Sequence, residues 1–349
     1  MAPLAIRSAV TRDGVRIAFH TLGEGPAVVM LFPYHINHLE LNWRVGLHRG
    51  GVEFFARYFR VINLDFRGAG LSERNVRGLS LESFAEDLDA VISELDLDRV
   101  ALFAMGPAGL VACHFAARAS NRVSCLVFIE SGESETNRRL LRLRDVSPQV
   151  EAQARGSLFG GLHDRHTAET LTAVARDALT ADAFEEWMRI LDENALLPIA
   201  ARVTAPALYL DVAGDDVVTQ AAGQALVNVM PNARLMVVTG QSPLDAWRDR
   251  TAMQEVSRFI ARGFGVDEEL SRTQRRERRA ARDHPAGLSD REVEVLRLLT
   301  VGKTNQQLAD ELFVSLNTVS HHLRNIYAKS GAANRTEAAT FAYQHGLVQ

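Results

Sequence analysis

Residues 304–329, TNQQLADELFVSLNTVSHHLRNIYAK, constrain this chain more than any other stretch. Two amphipathic helical patterns meet there across a very short break. In the first, Leu308, Ala309 and Leu312 share one face. In the second, Val319, Leu323, Ile326 and Tyr327 recur at i, i+4, i+7 and i+8, one stripe of a 3.6-residue helix. The joint, Phe313-Val314-Ser315, has room only for a tight turn. Helix starts are written into the flanks as well. Ser289/Glu292, Thr304/Gln307 and Asn334/Glu337 all show capping-box spacing, and Leu288 and Val293 are placed as a hydrophobic staple.

Two short helices joined so tightly form a helix-turn-helix, whose second helix is free to enter a DNA major groove. Its face away from the apolar stripe carries Thr318, Ser320, His321, Arg324 and Asn325, all able to hydrogen-bond to a base edge or a phosphate. On periodicity alone, a small helical bundle used for protein contacts is the alternative. The stretch Leu288–Val348 resembles the LuxR-type (GerE-like) DNA-binding domain. LSDREVEVLRLL, the N-QQ-LA core, S-LNTVSHHL, the Lys329 region and NRTEAA follow that family's pattern in order.

The resemblance implies double-stranded DNA as partner and a homodimer contact through the fourth helix, about 335–345. It assigns base reading to Ser320, His321 and Arg324. Thr318 and His322 are better placed for phosphates, Lys303 and Asn305 clamp the backbone, and Thr304 and Lys329 complete the DNA-facing set. Charge agrees with this. Residues 271–349 hold twelve Lys/Arg against eight Asp/Glu, which leaves −8 on residues 1–270 out of −4 overall.

The rest of the chain is written differently. From residue 5 to about 32, breaks at Asp13-Gly14 and Gly23-Glu24-Gly25 separate two alternating segments and a continuous apolar one, an antiparallel entry to a sheet. Apolar strand runs follow at 61–65, 100–104, 124–129, 207–212 and 235–238, most of them separated by helix-length segments such as 81–95 and 109–119. Such alternation predicts a mostly parallel sheet covered on both faces, an α/β fold.

This layout resembles the α/β-hydrolase fold over roughly 5–262, with a helical cap at about 132–200. The residues that carry the likeness are Asp65-Phe66-Arg67-Gly68-Ala69-Gly70-Leu71-Ser72 (D-x-R-G-x-G-x-S), RVALFAMGPAGLVACHFAA at the nucleophile-elbow position, and 207–232. The elbow pattern is G-x-S-x-G, because a strained strand-to-helix turn needs small neighbours. Here it reads Ala104-Met105-Gly106-Pro107-Ala108, so the nucleophile position is a glycine. The acid position falls on Asp215, a vestigial acid, with Asp216 one residue off. Where the family has its histidine, this chain reads Thr239-Gly240-Gln241-Ser242-Pro243; the oxyanion loop, usually H-G, is Pro33-Tyr34 followed by His35. The resemblance thus implies a hydrolase fold without its catalytic triad, and no catalytic residue is expected.

Other residues offer no rescue. His114 and Cys113 lie on the helix after the elbow, where core packing is the ordinary role, and His163 and His166 fall in the cap. No spacing suggests a metal or calls for a cofactor. In open α/β sheets ligands bind at the carboxyl ends of the strands. A small-molecule pocket is therefore expected among Phe32, Tyr34, His35, Met105, Gly106 and Pro107, with Trp187 of the cap either lining it or filling core.

The expected domains are 1–264 for the hydrolase-like sensor, 265–286 for a charged linker and 287–349 for the helix-turn-helix domain. The linker holds six arginines in residues 271–284, suited to DNA phosphates or to a solvated helix. Cys113 and Cys125 sit in apolar runs, as free thiols of a reducing compartment do. No run of eighteen apolar residues occurs, so no membrane contact and a cytoplasmic location are expected. Together these readings point to a DNA-binding regulator with a small-molecule sensor. An enzyme of unorthodox chemistry and a protein-binding scaffold are the alternatives.

Overall fold

The computed structural model describes residues 4–46, 48–132, 165–214, 220–240, 242–268, 270, 273, 284–312 and 316–348. It divides into two compact units, Met1–Asp267 and Glu268–Gln349. More than half of the expected linker, including its six arginines, and Asp215 and Asp216 lie outside the described residues.

The first unit is built on one eight-stranded sheet of order β1-β2-β4-β3-β5-β6-β7-β8. Its strands are β1 (Arg7–Val10), β2 (Arg16–Leu22), β3 (Ala27–Leu31), β4 (Arg60–Leu64), β5 (Val100–Met105), β6 (Val123–Ile129), β7 (Ala207–Val212) and β8 (Ala233–Val238). β1 and β2 enter antiparallel and every later pairing is parallel. β3, β5, β6 and β7 are buried at every position, as continuous apolar runs require when helices cover both faces. β8 departs from that pattern because it is an edge strand, and Val237 is 51% exposed.

Helices numbered along the described residues are α1 (Leu39–Arg44), α2 (Arg49–Phe55), α3 (Leu81–Glu94), α4 (Ala108–Arg118), α5 (Arg165–Ala178), α6 (Ala181–Glu193), α7 (Leu196–Ala200), α8 (Gln220–Val229), α9 (Pro243–Arg248) and α10 (Arg250–Phe264). The D-x-R-G-x-G-x-S turn after β4 holds this unit together. Asp65 is fully buried and accepts hydrogen bonds from the backbone N–H of Leu39 (3.1 Å) and Leu71 (2.9 Å) and from the Asn37 amide (3.1 Å). Burial pushes its pKa up to about 6, against those bonds. Gly70, at φ +48°, lies so close that a Cβ there would sit 2.1 Å from the Asp65 carboxylate. Ser72 donates to the Asp65 carbonyl and accepts from Ala18 N–H (2.8 Å), tying the turn to β2. Arg67 is buried and donates to Asp87 on α3 (2.7 Å) and to Asp13 in the β1–β2 turn (2.7 Å).

In the second unit, α11 (Asp290–Thr300), α12 (Asn305–Leu312), α13 (Leu316–Ser330) and α14 (Arg335–Gln344) enclose a separate core. Leu308, Ala309, Leu312, Val319, Leu323 and Ile326 are all buried in it, with Tyr327 packed against it. The helix starts follow the predicted spacing. Ser289 and Glu292 cap reciprocally (3.3 and 2.7 Å), as do Thr304 and Gln307 (3.3 and 2.8 Å). Asn334 accepts from Glu337 N–H (3.0 Å), but the glutamate answers differently, taking the Asn334 amide and Ala333 N–H (both 2.7 Å).

Candidate functional sites

Burial of the apolar stripe decides which side of α13 faces outward. With Val319, Leu323 and Ile326 in the core, Ser320, His321 and Arg324 are exposed, and Thr318 and His322 lie at the boundary. His321 Nε2 lies 3.2 Å from the Asn325 amide one turn on. Arg324 makes no ion pair among the described residues. An exposed guanidinium without an ion pair, beside a hydroxyl and an imidazole, is what base-edge recognition in a major groove uses.

The cations expected at phosphates are already engaged within the domain. Lys303 Nζ lies 2.8 Å from Glu311, and Lys329 Nζ lies 2.7 Å from Glu292. Arg335 donates to the Lys303 carbonyl and to Asn305 Oδ1 (3.5 Å), and Thr304 is occupied as a cap. Sequence reading missed these pairs because 37 residues separate Glu292 from Lys329, and no helical spacing announces them.

In the first unit the elbow is where the sequence places it. The chain turns from β5 into α4 at Gly106, which sits in the left-handed region (φ +55°) and donates its N–H to the Ile129 carbonyl (2.8 Å). Met105 is buried, Pro107 half-buried, and no side chain projects from the apex.

The expected ligand-lining residues do not all meet. Tyr34 and His35 belong to a 3-10 helix, Tyr34–Ile36, where both are buried. Tyr34 packs in the core against Phe84 (5.1 Å between ring centres) and Trp187 (5.4 Å), and its hydroxyl donates to the Arg67 carbonyl (2.7 Å). Phe32 instead stacks on His48 (3.7 Å, 5° between planes) and meets Trp247 edge-on. Trp187, 1% exposed, is a core residue.

Three residues at the carboxyl ends of β6 and β7 escaped the sequence reading. Glu130, at φ +50°, accepts the Val212 N–H (2.5 Å). Ser131 and Asp211 are buried, yet among the described residues the Ser131 hydroxyl and both Asp211 oxygens have no hydrogen-bond partner. Burial raises the Asp211 pKa. Their strand-like contexts, VFIES and ALYLDV, gave no signal.

Of the remaining candidates, His163 and the side chain of His166 lie outside the described residues. His114 pairs with Glu82 (3.2 Å). Cys113 and Cys125 are free and buried, and burial pushes both thiols up to about 12. Among the described residues no cluster of three or more His, Cys, Asp or Glu could hold a metal, and no helix is long and apolar enough to cross a membrane.

Comparison with known proteins divides along the same line. Residues 286–342 match the family of bacterial regulatory proteins, luxR family, and residues 42–159 match the alpha/beta hydrolase fold. The C-terminal part is similar to the transcriptional regulatory protein LiaR of Bacillus subtilis, 43% identical over 61 residues, 18% of this chain and 29% of LiaR. It is also similar to the response regulator protein VraR of Staphylococcus aureus, 39% identical over 62 residues, 18% of this chain and 30% of VraR. The chain therefore spans less than a third of the length of these relatives. The larger unit is similar to the enol-lactonase from Burkholderia xenovorans LB400, with a TM-score of 0.62 and 19% identity over 73% of this chain and 100% of that one. Identity that low carries the fold alone. The chain thus joins an α/β-hydrolase-fold domain to a C-terminal LuxR-type helix-turn-helix DNA-binding domain.

Proposed function

We propose that the chain is a cytoplasmic, ligand-responsive transcription regulator. Its helix-turn-helix domain reads double-stranded DNA as a homodimer, and its hydrolase-fold domain has lost its chemistry and senses a small molecule. One observation carries this reading: Gly106 occupies the apex of the β5–α4 turn, so the nucleophile position has no side chain. Acyl transfer through a covalent intermediate needs an activated nucleophile there and a base beside it. The family's histidine position is Gln241.

The ligand site of this reading is the rim around His35, Met105, Gly106 and Pro107. A ligand shifts DNA affinity only by binding one state of the protein better than the other, and DNA then shifts ligand affinity by the same factor. A second reading, a scaffold that binds another protein, gains support from Tyr34 and Trp187, which fill core where a sensor would use them as walls.

Native mass spectrometry of the full chain from cell extract separates the two. A stoichiometric small-molecule adduct that is lost in Gly106→Trp supports the sensor. A bare chain in both proteins, together with a co-purifying polypeptide, supports the scaffold.

A further inference from the structure

Beneath α1 and α2 lies a small chamber that belongs to neither site. Its floor is the sheet face opposite the Tyr34 core. His20 on β2 and Asn63 on β4 are register partners, joined by 3.1 Å between His20 Nε2 and the Asn63 amide nitrogen. Asn42 on α1 and His48 at the start of α2, stacked on Phe32, complete a partly open cavity of about 10 Å³, with half-buried Trp43 and Arg49 at its edge. That is room for one water-sized species.

The four polar side chains are 2–6% exposed. Five of their atoms are buried without a hydrogen-bond partner: His20 Nδ1, Asn42 Oδ1, Asn63 Oδ1 and both ring nitrogens of His48. Isolated buried polar groups are costly, and five of them on four residues that line one cavity are a shared need. Burial holds both imidazoles neutral, lowering the His20 pKa to about 4 and that of His48 to about 3.

The sense of each atom then decides the occupant. The Asn63 amide donates to His20 Nε2, so His20 carries its proton on Nδ1 and offers a donor to the chamber. Two amide oxygens accept, and neutral His48 has one nitrogen of each kind. A metal ion needs lone pairs from every ligand and a carboxylate to offset its charge. Here His20 and His48 each carry an N–H donor, and the charged residue lining the cavity is Arg49. A neutral molecule that both donates and accepts serves both kinds, and one water, with two bonds of each kind, meets four of the five atoms while reaching all four side chains.

We propose that the chamber is an internal hydration site, in which one ordered water bridges His20, Asn42, His48 and Asn63 and couples α1 and α2 to the sheet. The test is a double-mutant cycle on the full chain at pH 7.5, with Asn42→Leu and Asn63→Leu, read by thermal unfolding. These two side chains do not hydrogen-bond to each other, so a shared water is their route of coupling. The double variant should then lose little more Tm than the worse single. Additive losses overturn the proposal. Should either leucine variant not fold, His48→Phe, which keeps a ring on Phe32, takes its place in the cycle. High-resolution density should show one peak within hydrogen-bonding distance of at least three of the four side chains. A dry cavity, or an anomalous zinc signal there after a zinc soak, overturns it equally.

Discussion

Lys329, near the end of the recognition helix, is held by Glu292, the residue that caps the first helix of the domain; Nζ and Oε2 are 2.7 Å apart. The glutamate side chain is 4% exposed and the lysine 39%. This pair ties α13 to the start of α11, so Lys329 is expected to act on DNA binding through the geometry of the domain. Lys329→Met should cost about 1–2 kcal/mol of domain stability, the penalty for a buried carboxylate left without its cation, lessened by the lysine's exposure. It should weaken binding to all DNA sequences while leaving the salt dependence unchanged. A slope that falls by about one unit would instead make Lys329 a phosphate contact. Burial opposes ionisation of Glu292, but bonds from Lys329 and Ser289 outweigh it and hold its pKa below the usual 4.5. A depressed carboxylate pKa contributes stability above the unfolded value that is lost as pH falls through the folded one. The pair's contribution should therefore fade in acid, below about pH 4.5.

Base reading and backbone holding should separate by residue. Arg324→Ala is expected to cost about 1–3 kcal/mol on the specific operator and to relax discrimination at one position. Lys303→Ala should weaken all sequences alike. Its effect on the salt slope should stay below one unit, because a phosphate must first displace Glu311 (2.8 Å away). Footprinting and titration on operator and random DNA check both. Equal losses for Arg324→Ala on the two would remove it from the base-reading set, and protection of a single unpaired half-site would exclude the dimer.

At the elbow, no turnover of activated esters above the protein-free background is expected, and no labelling by a serine-directed phosphonate. Gly106→Ser should not create activity, since the base is still missing. It should cost about 1–2 kcal/mol for a side chain in the left-handed region, read as a lower Tm. Labelling of the wild type at stoichiometry would restore an enzyme to consideration, with Ser131 the first residue to map.

Acid should remove the contribution of two buried histidines to the larger unit before ordinary carboxylates titrate. Buried Asp65 opposes this in sign, because its raised pKa makes its own contribution grow as pH falls. His20 and His48 are held neutral by burial, with pKa values near 4 and 3 against an ordinary 6.5. Between those values and 6.5 each of these two histidines binds more protons unfolded than folded, so their contribution to stability falls as pH drops below about 6.5. Each histidine contributes a slope of up to about 1.4 kcal/mol per pH unit. His48→Phe should remove close to one proton's worth of that slope in Tm-versus-pH profiles; an unchanged slope would mean that His48 titrates alike in both states.

Local patterns were legible in the sequence. The apolar stripes of α12 and α13, the caps and the strand runs all depend on residues within a few positions of each other. So was the elbow, because a Gly-Pro turn between an apolar run and a helix leaves little choice. What stayed hidden was the pairing of distant residues, Lys329 with Glu292 or Arg67 with Asp87. The pocket forecast fared less simply. Phe32 and Tyr34 are two apart, which in a strand puts both on one face. The strand ends at Leu31, however, and Pro33 leads into a 3-10 turn, so the two rings pack in different places.

The strand order also sets a schedule for synthesis. β2 and β3 are near neighbours in the chain, yet β4 lies between them in the sheet. As the chain leaves the ribosome, the β1–β2 hairpin has one edge unpaired until residues 60–64 emerge to fill it. Arg67 follows at once, and its bond to Asp13 then latches the hairpin's turn. The first hairpin is thus a waiting piece, completed only when the strand made after its neighbour slides in beside it.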